Sequence, residues 1–406
     1  MGYAKELLIR RQELGARVGE TDDAVCDSCF ADPYVQEWVR TNADRNDCTF
    51  CGRSEPNCAV DIDEVWELIS FGLRQEWDHA EEWSSHVAQY TSYDVADSFD
   101  PELFANDDLR TAFIDTFSDW AFCERDPYGL SQDRAYAVGW EQFCEHVKHR
   151  TRFLFQVEPG TEQKEHWSYD GVSVGALLGA VAESCSASGL IQRIAEGTSI
   201  YRARLDLPTV SFSHASELGT AAADDHRHPN RMSPAGIPMF YGAFSAETAI
   251  AETFDPAADK ATEVIATVGT FVPSRDLRVL DLSQLPDMPS ICEEGSAARR
   301  ADARFLRAFA RDISQPVPRD DRVHVEYVPT QIVCEYFRRL YRDDEGVLDG
   351  IVFPSARRGG EAAVVLFVEH DACVDAPGSG KDRLELRLTD RHLFGPGLAS
   401  LVAPAR

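Results

Sequence analysis

RMSPAGIPMFYGAFSAETAIAE, residues 231–252, changes periodicity once, from strand to helix, and gathers unlike chemistry at the change. The run Ile237, Pro238, Met239, Phe240, Tyr241 is short, apolar and aromatic after a Pro/Gly turn, which suits a buried strand. Ser245 has the small hydroxyl of an N-cap, and from Ala246 onward Ala249, Ile250 and Phe254 recur at helical spacing. Glu247 falls in the first turn, where a carboxylate complements the helix dipole. Glu252 has no such local reason. It lies past the first turn and near the apolar face, where an unpaired carboxylate is costly.

Upstream, a helical pattern from Val172 to about Ala195 is read as ending at Gly197, a residue suited to a C-cap. Ser199–Leu205, SIYRARL, follows as a strand that carries Arg202 and Arg204. Two arginines on a strand protect an edge or grip a phosphate with planar forks. Downstream, strands are expected over Glu263–Val272 and Leu277–Leu282, and helices over Ala297–Ile313 and Thr330–Tyr341. The turn Asp349-Gly350 leads into the apolar strand Ile351, Val352, Phe353, and Ala362–Glu369 reads as a last buried strand. Between these two strands, Ser355 stands at a strand end beside Arg357, Arg358, Gly359 and Gly360, a set that suits an anion or a nucleotide. No Walker A loop, no G-x-G-x-x-G after a strand and no G-x-S-x-G elbow is present.

The front of the chain is different. Cys26-x-x-Cys29 and Cys48-x-x-Cys51 have the spacing of a structural four-thiolate zinc site, with Cys58 as a spare thiol. Such a closed site holds a small element together and does no chemistry. From Ile62 to about Phe155 three apolar faces at helical spacing imply a helical bundle: Val65, Trp66, Ile69 and Leu73; Leu103, Phe104, Phe113, Ile114, Phe117 and Trp120; Trp140, Phe143, Cys144 and Val147. Within it Arg74 and His79 have the R-x4-H spacing of HEPN-type ribonucleases, but that spacing is common in helical, charge-rich sequence, so a solvated helix face is the preferred reading, as it is for His146 and His149 near Arg150. Residues 157–171, rich in Pro, Gly and charge, read as a linker.

Composition bounds the function. A chain of 406 residues with 44% hydrophobic and 27% charged residues suits two soluble globular domains. No apolar run is long enough to span a membrane, and the charged, amphipathic start is not a signal peptide, so the expected location is cytoplasmic. Eleven cysteines in a reducing compartment point to free thiols and metal, not to disulfides. A net charge of −29 repels nucleic acid at long range, yet leaves room for an anionic small substrate in an arginine-lined pocket.

Tyr201-Arg202-Ala203-Arg204, then residues 231–252, then Asp349-Gly-Ile-Val-Phe-Pro-Ser355-Ala-Arg357 resemble, in order and spacing, the RES-domain family, named for an Arg, a Glu and a Ser. The resemblance implies an ADP-ribosyltransferase-like fold that degrades NAD, commonly as a toxin held by an antitoxin. It puts the catalytic roles on Arg202, Tyr241, Glu252 and Ser355, and the grip on NAD on Arg202, Arg204, Arg231, Tyr241, Ser355 and Arg357. Glu252 would oppose the oxocarbenium ion, the arginines would hold the pyrophosphate, Tyr241 would wall the nicotinamide and Ser355 would bond phosphate or ribose. The front half is similar to N-terminal domains found before RES and HEPN toxin domains. More than a third of the chain precedes the RES part, a departure from small single-domain toxins. The expected fold class is α+β, with a zinc-binding element over 1–60, a helical domain over 61–165, a mixed α/β RES catalytic domain over 172–380 and a C-terminal tail over 381–406. The expected activity is NAD glycohydrolase or phosphorylase, with structural Zn2+, NAD as substrate and an antitoxin or regulatory protein as partner. The alternatives are ADP-ribosyl transfer to a protein or nucleic acid, an inactive RES domain that binds a partner, and a ribonuclease centred on Arg74 and His79.

Overall fold

The computed structural model describes residues 22–83, 86, 93–94, 103–117, 121–154, 171–206, 209–253, 264–315, 322–378, 380 and 382–394. Trp120, Phe254 and nearly all of the expected linker lie outside these residues. The chain divides into two compact units: Met1–Arg134 with Glu165–Tyr169 and Asp287–Arg304, and Ala135–Lys164 with Asp170–Pro286 and Phe305–Arg406.

In the first unit, β1 (Ala24–Cys26), β2 (Arg45–Asp47) and β3 (Ser54–Asp61) form an antiparallel sheet in the order β1-β3-β2. Helix α1 (Pro33–Asn42) joins the first two; it starts where Asp32 accepts from the N–H groups of Tyr34 and Val35, with Pro33 in the first turn. Helix α2 (Ile62–Glu76) is capped by Asp61 and buries Val65, Trp66, Ile69 and Leu73, the face expected from the spacing. The expected helical run then breaks. Trp77–His79 is strand β4, which pairs with β6 (Ala121–Glu124), and β6 pairs in turn with β5 (Tyr93–Asp94). Cross-strand partners for Trp77 and His79 outweigh a helical period read from one segment alone. Helix α3 (Asp107–Thr116) resumes the pattern, capped by Asn106, and Phe113 packs against Trp66 with ring centroids 5.2 Å apart.

The second unit includes most of α4 (Gln132–His149). Helix α5 (Leu177–Ala187) ends earlier than expected. Gly189, at φ 68°, and Leu190 turn back onto the Ser186 and Cys185 carbonyls in a Schellman closure, so Gly189 and not Gly197 stops the helix. Ile191–Ile194, expected to be helical, is instead strand β7.

The further strands are β8 (Ile200–Asp206), β9 (Phe240–Ala243), β10 (Val264–Pro273), β11 (Leu277–Asp281), β12 (Gly350–Pro354), β13 (Ala362–Leu366), β14 (Cys373–Asp375) and β15 (Leu384–Phe394). The longer helices among them are α6 (Ala246–Thr253), α7 (Ser296–Ser314) and α8 (Val328–Arg339). The strands form one mixed sheet in the order β14-β15-β10-β8-β9-β13-β12-β11-β7, antiparallel except at β11/β12 and β14/β15. The segment expected to begin a tail is therefore partly a strand, because Leu384 and Leu386 alternate into the core beside β10.

Two cores flank the sheet. Ile200, Phe240, Phe271, Val352, Val364 and Leu386 fill one, while Ala203, Ala243, Ala266 and Val268 pack against Ala249 and Ile250 of α6 in the other. Strands β8 and β9 pair only at Tyr201 and Ala243, so they part beyond that point. Gly242 keeps them close there: a Cβ would stand 2.7 Å from Ile200 Cγ2 and 3.0 Å from both the Phe240 ring and the Tyr201 carbonyl. Gly242→Ala is expected to destabilise the protein by about 1–3 kcal/mol through overpacking, read as a lower melting midpoint. Among the described residues no helix is long and apolar enough to cross a membrane.

Candidate active site and candidate metal centre

Ser245 caps α6 as its sequence suggests: its hydroxyl accepts from the Thr248 N–H at 3.2 Å and its carbonyl from Ala249 N–H at 3.1 Å. Glu247 is exposed in the first turn. One helical turn beyond the buried Ala249, Glu252 is half-buried, and its Oε1 accepts a 2.5 Å hydrogen bond from Ser355 Oγ. Ser355 follows β12 and is only 1% exposed. Its hydroxyl accepts from the Arg357 N–H at 3.2 Å, and its own N–H donates to the Glu361 carbonyl at 2.8 Å. Gly359 and Gly360, at φ 60° and 90°, let the chain turn back within this seven-residue loop. Two expected site residues 103 positions apart are thus in direct contact.

Tyr241 sits on β9, its ring on the α6 side by alternation with Phe240. Its hydroxyl accepts from Met232 N–H at 3.2 Å and meets Ser233 Oγ at 3.0 Å, and burial pushes the phenol far up. Arg231, expected to hold a pyrophosphate, donates to the carbonyl of Ser314 at the end of α7. Burial lowers its pKa, while the charge of Glu252 acts the other way, so the two lie close enough to feel each other. Arg357 is also within reach of Arg231.

Arg202 and Arg204 project from β8 with Ile200, opposite the face on which α6 packs. Their guanidinium groups lie over the rings of Phe240 and Phe212 at 5.0 and 5.8 Å. Arg202 reaches across the parting of β8 and β9 to donate to the Tyr241 carbonyl at 3.0 Å, and its buried Nε has no partner. Burial first, then the charge of Arg204, lowers its pKa to about 10. Among the described residues no hydrogen bond joins Arg202 to Glu252 or Ser355; Tyr241, Glu252 and Ser355 stand on one side, and the Arg202 cation approaches from the other.

The spacing rules did not find Ser233, Thr248, Phe240 or Glu361. Phe240 was visible as the alternate residue to Tyr241; the others act through contacts far along the chain. Arg74 lies in the last turn of α2 and His79 on β4, so the R-x4-H pair does not share a helix. A cavity of about 300 Å³ between α4 and the end of α7, lined by Trp140, Cys144, Lys148, Asp312 and Glu326 among others, holds none of the residues expected to act on NAD.

In the first unit the four cysteines converge. Cys26, Cys29, Cys48 and Cys51 place their sulfurs within 4.8 Å of one another, with Cys26–Cys29, Cys26–Cys51 and Cys29–Cys48 at 3.8, 3.3 and 3.7 Å. Three are buried and Cys51 is exposed. Burial first, and then the charges of Cys26 and Cys48, push the Cys29 thiol up. Cys58 stays outside the group, its thiol donating to the Asn46 carbonyl at 3.1 Å.

Two family models match this chain: HEPN/RES N-terminal domain 1 over residues 41–160, and the RES domain over residues 200–389. The protein therefore carries a RES domain preceded by a HEPN/RES-type N-terminal domain. Arg202, Tyr241, Glu252, Ser355 and the first part of β15 all fall within the RES match. The solved M. tuberculosis MbcT–MbcA toxin–antitoxin complex is similar over 55% of this chain and 96% of that chain, at 16% identity and a TM-score of 0.29, a likeness too low to bear on function. No curated protein matches.

A half-buried guanidinium whose Nε is buried without a partner is a cost to the fold. Because its pKa is depressed, the charge destabilises the native state at all pH values below about 10, and the penalty fades only as pH rises through that value. Arg202→Met is expected to raise the melting midpoint at neutral pH. Arg278→Met should lower it, since Arg278 Nη2 donates to both carboxylate oxygens of Asp343, at 2.7 and 2.9 Å.

Proposed function

We propose that this protein consumes NAD, cleaving the nicotinamide–ribose bond as a glycohydrolase or a phosphorylase, and acts as a toxin or defence effector. The observation that carries the reading is Glu252: one carboxylate oxygen is pinned by Ser355 at 2.5 Å, and the other has no hydrogen bond among the described residues. Fixed on one side and open on the other, such a group suits a charge that develops only in the transition state. The C1′–N1 bond breaks, its electron pair neutralises the pyridinium, and nicotinamide leaves without needing a general acid. The ribose is left as an oxocarbenium ion, which Glu252 opposes directly or through the 2′-hydroxyl. Capture by water releases a proton and gives ADP-ribose; capture by inorganic phosphate gives the 1″-phosphate.

The uncompensated Arg202, with Arg204 and Arg357, supplies the positive charge that the two phosphates of NAD require in a chain of net charge −29. Arg231 serves the same end through its charge, while its hydrogen bond goes to α7. The fold of the RES part is read as ADP-ribosyltransferase-like. Kinship with RES-domain toxins implies a partner protein, an antitoxin or a regulator, that holds the activity in check.

Glu252→Gln keeps the shape and removes the charge, so nicotinamide release from NAD should fall by about 10²-fold or more. Glu247→Gln, on an exposed first-turn site, should leave the rate nearly unchanged. A normal rate in the Glu252 variant with a collapsed one in the Glu247 variant would put the reacting carboxylate on the wrong turn.

The cysteine cluster is read as a structural zinc site. Four sulfurs at the Zn–S length of about 2.3 Å in a tetrahedron lie about 3.8 Å apart, close to the spacing found here. Zinc would supply the cation that lets crowded, buried thiols ionise, and would tie β1 and the turn after β2 together. Elemental analysis is expected to find close to one zinc per chain, and chelation should lower the melting midpoint; a folded, metal-free preparation of unchanged stability would remove the assignment.

A further inference from the structure

The loop from Ser355 to Glu361 meets α6 at two places. At one end Ser355 bonds Glu252. At the other, the Glu361 carboxylate accepts from the hydroxyl of Thr248 and lies 3.2 Å from the hydroxyl of Ser245, the N-cap. Thr248 is fully buried. Glu361 is held from its own side too: its carbonyl receives the Ser355 N–H, its N–H donates to the Arg358 carbonyl at 3.2 Å, and Arg358 approaches its other oxygen at 3.3 Å. The bonds from Thr248 and Ser245 keep its pKa low, so it is ionised at neutral pH.

We propose that Glu361 is a positioning residue for the Glu252–Ser355 pair. Thr248 and Glu252, the two tethered positions, are one helical turn apart, about 6 Å along the axis, and the Ser245 cap lies further back. One tether alone would let α6 rock about the Ser355–Glu252 bond; two fix both the tilt and the rotation of the helix against the loop. The carboxylate of Glu252 is then aimed by a residue that never meets the substrate. A helix of eight residues has few internal hydrogen bonds to hold it, so an outside anchor at its first turn matters more than on a long helix. The inference rests on Glu252 being the carboxylate that opposes the oxocarbenium ion.

The test is steady-state nicotinamide release from NAD by the full chain. Glu361→Ala and Thr248→Val should each lower kcat by about ten-fold while KM for NAD stays within about two-fold, because binding groups are untouched and aim is lost. The double variant should be no worse than either single one, since both cut the same tether. Glu361→Gln keeps an acceptor for the Thr248 hydroxyl and should stay within about three-fold of the parent. Full kcat in Glu361→Ala, a loss confined to KM, additive effects in the double variant, or a loss that merely follows the unfolded fraction in circular dichroism would overturn the proposal. If Glu361→Ala does not fold, Glu361→Gln and Thr248→Val carry the comparison. A parent protein that releases no nicotinamide would instead remove the proposed function, and this inference with it.

Discussion

A single 2.5 Å hydrogen bond, from Ser355 to Glu252, joins the end of a central strand to the helix that covers its sheet. Short and charge-assisted, it does two things at once. It satisfies a carboxylate that the apolar side of α6 would otherwise leave stranded, and it spends only one of that carboxylate's oxygens. The order of the strands makes this contact possible: β12 and β9 are separated by β13 alone, so the loop after β12 and the helix after β9 emerge side by side. The loop's backbone closure and the cap of α6 both serve the same meeting point.

The arginines of the second unit divide into two kinds, and the division separates architecture from the site. Arg278 donates to both carboxylate oxygens of Asp343, Arg275 forks onto Asp349, and Arg338 reaches Glu369; each pair ties segments distant in sequence, and Asp349 also receives the Arg278 N–H at 2.8 Å. These cations are compensated and hold the loops around β11 and β12. Arg202 is the opposite case, half-buried, facing an aromatic ring and a carbonyl, with its buried Nε idle. In a chain with 69 acidic and 40 basic residues, a half-buried cation whose Nε lacks a partner is a departure from the average that a phosphate-bearing ligand would repair.

The first unit meets a different constraint. Its β1-β3-β2 sheet has short strands, and Cys26, Cys29 and Cys48 are buried in the apolar core with Val25, Val60 and Phe30. Aromatic packing of Trp66, Phe104 and Phe113 supplies the remaining solidity, with Trp66–Phe113 and Phe104–Phe113 centroids at 5.2 and 5.4 Å. Buried sulfur in a core this small is a liability as thiol pairs and an asset as metal ligands.

The local code was legible from the sequence alone. The strand-turn-helix of residues 231–252, the Ser245 cap, the buried face of α2 and the doubled C-x2-C all depend on neighbours a few residues away, where periodicity and capping rules operate. What only the tertiary structure decided lies at longer range. Trp77–His79 leaves the helix because Ala121–Glu124 offers a strand partner; Leu384–Phe394 joins the sheet because β10 has a free edge for it; Arg231 turns to a helix end instead of outward. Glu361 was invisible for the same reason: a glutamate after two glycines reads as a solvated turn until the fold sets it against Thr248, 113 residues away. Sequence spacing records which side chains share a face, but which faces meet, and which charges lose their water, is settled only when the sheet closes.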